Sequence, residues 1–305
     1  MRSIASQPAS PFADDMLFDA HAHVYTGDVA RYPVNTRNSF HSEEELHRRI
    51  ATNPITPERL LAEWDAQGVE AGAGVQYSSI YKTDNSFLLD SSDRFPDRLS
   101  AVVILDAADP ATPGKLRQFI LERNIVGLRL TGGAGPEGDY PWLCSDAAIR
   151  TWEVASEQWL PVALMYTPQG PALAAIDRIA ALARRFPDVI LGLDHLGWPG
   201  MDEAGEGPSP ALRPLFDIPN VFFKATSINY RLFGQQGVDA ARFVRRFADL
   251  VGAERMMWGS DFGNTLQTYA EMTQAARESA ALLSPAERRQ FLHGTAHRLY
   301  ARTGR

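Results

Sequence analysis

The segment Asp19-Ala20-His21-Ala22-His23 brings together groups that could do chemistry. On an extended strand residues two apart project to one face, so Asp19, His21 and His23 are expected to point the same way, separated by small alanines. Imidazoles beside a carboxylate can bind a divalent cation or move protons near neutral pH. Two more residues are candidates for the same centre: His195 in Leu193-Asp194-His195-Leu196-Gly197, and Asp261 in Trp258-Gly259-Ser260-Asp261-Phe262-Gly263. Each also has a plainer reading. A His-x-His pair can arise by chance, a lone histidine at a strand end is as often structural, and an aspartate before a helix is often only its cap. Their positions count against the plain readings, because each group ends a short apolar run.

Those runs number eight: Met16–Ala20, Ala71–Gln76, Leu99–Leu105, Val126–Leu130, Pro161–Tyr166, Val189–Leu193, Val221–Lys224 and Met256–Trp258. Helix start signals lie between them. Thr56-Pro57-Glu58 puts proline at a first helical position, and Ser145-Asp146, Gly170-Pro171, Gly237-Val238-Asp239 and Ser284-Pro285 open similar segments. Nearly all-apolar strands, each followed by a helix, are what a parallel sheet buried on both faces requires. Eight such units predict an α/β fold, a (β/α)8 TIM barrel, whose active sites sit at the C-terminal ends of the strands. A doubly wound open sheet would want a Gly-rich phosphate turn after an early strand, and the first strand ends instead in the histidine pair. Two insertions, Val24–Thr56 and Gly197–Pro214, follow strand ends on the expected active face. Residues 1–15 read as a polar, disordered lead-in, and 16–305 as one barrel domain.

Composition narrows the function classes. The chain has 305 residues, 45% hydrophobic and 22% charged, with a formal net charge of −7. An acidic chain without a basic run has no electrostatic footprint for nucleic acid or anionic lipid. No apolar run approaches the roughly 18 residues that a membrane span needs. The single cysteine, Cys144, cannot form an internal disulfide, which fits a reducing cytoplasm. A cytoplasmic enzyme is expected, with a homo-oligomer left open.

FDAHAHV, GLRL, LGLDHLGWP, MWGSDFGN and the closing HGTAHRLY resemble the amidohydrolase superfamily, in its branch of sugar lactonases and 2-pyrone-4,6-dicarboxylate lactonase. The resemblance implies the barrel fold and a hydrolase opening a lactone. It also exposes a departure. Metal-dependent members place a histidine or lysine in the fifth strand, where this chain reads Pro161-Val162-Ala163-Leu164-Met165-Tyr166-Thr167. That leaves His21, His23 and Asp261 as the only familiar ligands, and Met165 is a poor one for a hard or borderline cation. The expectation is therefore that no cofactor is required; the alternative is one divalent cation, Zn2+ or Mn2+, on those three residues with water.

In the metal-free reading Asp261 is the base that takes a proton from attacking water, and His21, His23 and His195 donate hydrogen bonds to the lactone carbonyl. Arg129, Lys224 and Arg231 are the expected substrate-binding cations, although Lys224 could instead bridge to Asp194. Tyr81, Tyr166 and Trp198 are candidate pocket walls, with Tyr25, Tyr77 and Tyr230 nearby. Trp198 and the stretch Thr131-Gly132-Gly133-Ala134 stand where the resemblance would place two arginines. A monoanionic or neutral lactone is therefore expected as the small-molecule partner, rather than a dicarboxylate. His41 and His47 fall in a polar insertion, and His293 and His297 behind the barrel, so none of the four is expected in the catalytic centre. The rival activity is a metal-dependent non-oxidative decarboxylase of the same superfamily.

Overall fold

The computed structural model describes residues 15–123, 125–166 and 172–302. The lead-in up to residue 14 and the helix start at Gly170-Pro171 lie outside them. Eight parallel strands follow one another around a sheet in chain order: β1 (Leu17–Ala22), β2 (Val69–Val75), β3 (Leu99–Ile104), β4 (Gly127–Gly132), β5 (Val162–Tyr166), β6 (Leu191–Leu193), β7 (Val221–Thr226) and β8 (Met256–Gly259). Beyond the last formal pairing the ring closes through backbone bonds from Asp261 N–H to the His21 carbonyl (2.6 Å) and from His23 N–H to the Phe262 carbonyl (3.0 Å). Gly259 permits this approach, since a Cβ there would lie 2.6 Å from the His21 Cβ. The architecture is the expected (β/α)8 barrel.

The helices form where the caps foretold. Thr56 caps Pro57–Gln67, which ends on Gly68 at φ 71°. Ser145 caps Asp146–Glu157, Asp239 caps Ala240–Val251, and Ser284 pairs with Glu287 in a capping box on Pro285–Arg289. Their apolar faces pack on the outside of the barrel. Inside, Phe18, Ala20, Ala73, Val75, Val102, Phe222 and Met257 meet Ala296 and Tyr300 of the helix Thr295–Tyr300, which plugs the end opposite the candidate site. Where it faces the barrel interior the plug is apolar. Among the described residues no helix is long and apolar enough to cross a membrane.

Candidate active site

Asp19 corrects the simple alternation expected of β1. Asp19 pairs with Gly72 but Ala22 with Gly74, so one extra residue is accommodated in β1. Such a bulge reverses the facing of everything after it. Phe18 and Ala20 sit in the inner core, whereas the Asp19 carboxylate accepts from Ser260 N–H (2.8 Å), Ser260 Oγ (2.6 Å) and Tyr269 OH (2.8 Å). Asp19 thus ties β1 to the chain after β8 from behind. His21 and His23 turn inward without it.

There the two histidines meet Asp261. His21 Nε2 lies 3.3 Å from His23 Nε2, and Asp261 Oδ1 lies 3.6 Å from the first and 3.1 Å from the second. All three side chains are buried. Bonds near 2.1 Å to one cation would hold three ligand atoms roughly 3.0–3.4 Å apart, close to this triangle. Protonation supports the fit. The Val75 carbonyl, 2.8 Å from His23 Nδ1, can only accept, so Nδ1 carries a proton. His23 Nε2 is thereby left as the ring atom that faces Asp261 Oδ1 and would be the one to ligate a cation held there. Met165 and Tyr166 supply no further ligand to this set; Tyr166 OH donates to the Gly197 carbonyl (2.6 Å).

The supporting contacts are specific. Asn264 Nδ2 donates to Asp261 Oδ2 (3.0 Å), and the Tyr77 ring stacks on His23 at 4.5 Å. Asp261 itself has φ 57°, a left-handed conformation uncommon for a residue other than glycine. It is no helix cap, because the next helix, Tyr269–Ser279, is capped by Thr268. Burial would raise the Asp261 carboxyl, but the His23 contact and the neighbouring His195 and His21 hold it below the ordinary carboxylate range. Burial likewise lowers His21, more strongly than Asp194 raises it.

Below the triangle, Asp194 holds two cations. Arg129 Nε donates to Asp194 Oδ2 at 2.7 Å, and Lys224 Nζ lies 3.0 Å from Oδ1, the same oxygen that faces His21 Nδ1 at 3.5 Å. Burial disfavours charge on both Asp194 and Lys224; their mutual attraction overrides it, lowering the acid and raising the base. Lys224 therefore makes the bridge to Asp194 noted as its alternative, and Arg129 shares it. Sequence reading had not singled out Asp194 as this hub, although its place directly before His195 was a signal.

His195 lies beside the triangle, its ring 5.8 Å from that of His21. Its Nδ1 meets Thr226 Oγ1 at 2.7 Å, and its carbonyl accepts from Asn229 Nδ2 (2.9 Å), the residue that completes a capping box with Thr226 on Ser227–Gln236. Residues 195 to 198 all have positive φ, from 53° at Trp198 to 70° at Gly197. Strain of this kind persists where the surroundings over-determine it, here by packing and the Asn229 and Tyr166 bonds. Burial pushes His195 down to about 4, so its ring is neutral at pH 7. The Trp198 ring lies against it at 4.9 Å.

The rim carries the remaining candidates. A cleft of about 630 Å3 is lined by Phe40, His41, Arg49, Arg231, Asn264 and Leu266, among others. Arg231 is exposed within it, and among the described residues no acid pairs with it. His41, set aside in the sequence as part of a polar insertion, reaches Asn264 Oδ1 at 2.9 Å and so stands two contacts from Asp261. Tyr81 is buried away from the triangle, its hydroxyl accepting from Thr26 N–H (3.1 Å), and burial pushes it up to about 12. His47 bonds Thr36 within the insertion.

A closed ring of parallel strands thus carries two histidines at the end of β1, a histidine after β6 and an aspartate after β8, all at one end of the barrel. Residues 18–302 match the amidohydrolase family, and the chain belongs to it. No curated protein sequence matches significantly. Among solved structures it is similar to a probable 2-pyrone-4,6-dicarboxylic acid hydrolase from Acinetobacter baumannii with citric acid bound (18% identity, 93% of this chain and 98% of that one, TM-score 0.68). It is also similar to 2,6-dihydroxybenzoate decarboxylase from Rhizobium (18%, 93% and 98%, 0.66). A third is 5-carboxyvanillate decarboxylase from Novosphingobium aromaticivorans, complexed with manganese (14%, 94% and 96%, 0.65). At such identities the likeness is one of fold.

Proposed function

We propose that the chain is a divalent-metal-dependent non-oxidative decarboxylase of a small aromatic acid, the activity held as the rival in the sequence reading. The observation that carries it is the His21–His23–Asp261 triangle, with the His23 proton fixed on the far nitrogen by Val75. Metal-free ester opening asks His23 to donate from Nε2 to the substrate carbonyl, although Nδ1 is committed to the Val75 carbonyl and Nε2 already faces Asp261 Oδ1 at 3.1 Å. A cation held by His21, His23 and Asp261 would supply Lewis-acid polarisation of substrate oxygens. Manganese in one decarboxylase neighbour is consistent with this.

The chain's own residues supply the rest. The buried centre disfavours a charged carboxylate relative to the neutral CO2 that leaves it. Breaking the carbon–carboxyl bond leaves an electron pair on carbon, which must take one proton. His195, outside the ligand triangle and oriented by Thr226, is the group assigned to relay it. Trp198 and Tyr77 offer flat walls for an aromatic ring, and Arg231 at the rim attracts the incoming anion.

Protein stripped by a chelator and resupplied with Mn2+ should be mixed with ortho-hydroxylated aromatic acids and, separately, with pyrone and sugar lactones. Metal-dependent CO2 release from an aromatic acid is expected. Acid release from a lactone without CO2 would replace the decarboxylase by a hydrolase. Undiminished turnover in the stripped protein would remove the metal from the scheme.

A further inference from the structure

At the opposite end of the barrel, Glu70 at the start of β2 faces His293 and His297, and we infer that these three side chains form a second transition-metal site, suited to Zn2+. The inference is independent of the reading of the upper centre. His293 Nε2 lies 2.5 Å from Glu70 Oε2, and the two imidazoles stack at 5.0 Å with planes 21° apart. Their spacing of four residues puts both on one side of consecutive turns. A wide π-type turn, Gln290–Gly294, carries His293, and the helix Thr295–Tyr300 carries His297. Such turns recur at functional sites.

The donor set matches the ion. Two imidazoles and a carboxylate leave a fourth position for water, a common arrangement for borderline-soft Zn2+. One ligand atom from each residue lies within 4.8 Å of the others, within reach of the roughly 3.4 Å separations of a filled tetrahedral site. The side chains have room to adjust around an ion: Glu70 is exposed, and both histidines are partly so. Phe18 meets the rings edge-on at 6.2 and 5.7 Å and limits how far they can swing away. Among the described residues the His297 ring has no hydrogen-bond partner, which leaves its nitrogens available to a cation. An ion here would fasten the last helix, and with it the barrel plug, to β2.

The test is zinc content after gel filtration, with thermal midpoints measured with and without Zn2+. Wild type and His297→Gln are compared first, then both changes again in a His23→Gln background that disables the upper triangle. The expected result is one zinc fewer per chain in His297→Gln than in wild type. In the His23→Gln background the midpoint should rise by about 4 °C at a hundredfold excess over Kd, and that rise should vanish when His297→Gln is added. Glu70→Gln, an exposed change that leaves the fold intact, should weaken the same response. Equal zinc content and equal midpoint rises with and without His297 would overturn the site and leave a surface His–Glu ion pair.

Discussion

Replacing Asp194 by Asn tests the hub beneath the His21–His23–Asp261 triangle. The substitution keeps the size and one acceptor oxygen but removes the charge that Arg129 and Lys224 share at 2.7 and 3.0 Å, with all three side chains nearly inaccessible. Removing one partner of a buried ion pair costs about 3–5 kcal/mol, because the remaining charge stays desolvated. Unfolding entropy near 2.1 cal/mol/K per residue, over a chain of 305 residues, converts this to a fall in Tm of about 5–8 °C. Calorimetry of Asp194→Asn measures it. Asp194→Asn with Lys224→Met should regain part of the loss, since an apolar side chain of similar length needs no counter-charge there. A fall below about 2 °C, or a double variant no more stable than the single one, would refute the view that the carboxylate holds both cations in place.

Two further predictions concern other parts of the molecule. Asn264→Ala removes the donor on Asp261 Oδ2 and should weaken Mn2+ binding about 10–100-fold in a competitive chelator titration with little loss of stability; unchanged affinity would show that Asn264 does not orient the ligand. Glu287, bonded by both terminal nitrogens of Arg245 and by Ser284, is lowered from 4.5 to about 2, so its contribution to stability is present above about pH 4.5 and is lost as pH falls through about 2. Urea midpoints of wild type and Glu287→Gln should therefore differ at pH 7 and converge between pH 4.5 and 2. A gap independent of pH would show that the carboxylate's charge is not what stabilises the cap.

All eight strands and their order could be read from apolar runs, because burial on both faces forces that pattern regardless of detail. Boundaries shifted where side-chain contacts prevail over periodicity. β6 starts late, at Leu191, because Val189 N–H turns back to the Phe186 carbonyl, and β7 lengthens to Thr226 because Asn229 caps the helix behind it. Grouping His21 with His23 required only spacing. The placement of Asp19 could not be read that way, since alternation assumes a regular strand and β1 has a bulge. Asp194 and His41 went unassigned for another reason: their partners lie 30 to 223 residues away or depend on how an insertion folds back over the rim, whereas Asn264, three residues from Asp261, was a signal passed over. The β5 departure, plain in the sequence, suggested a metal-free centre, whereas the proposed cation site rests on the spacing of His21, His23 and Asp261, which only the fold reveals.

The ring is joined at His21, His23 and Asp261, where His23 and Asp261 meet across a sequence separation of 238 positions. Bringing such distant segments together is entropically about 5 kcal/mol dearer than a contact between neighbours. Assembly order follows from that geometry. During refolding, high-affinity cation uptake should lag behind helix formation and coincide with the last cooperative step. Equally, a chain released from synthesis before its final strand could build most of the cylinder yet remain catalytically silent.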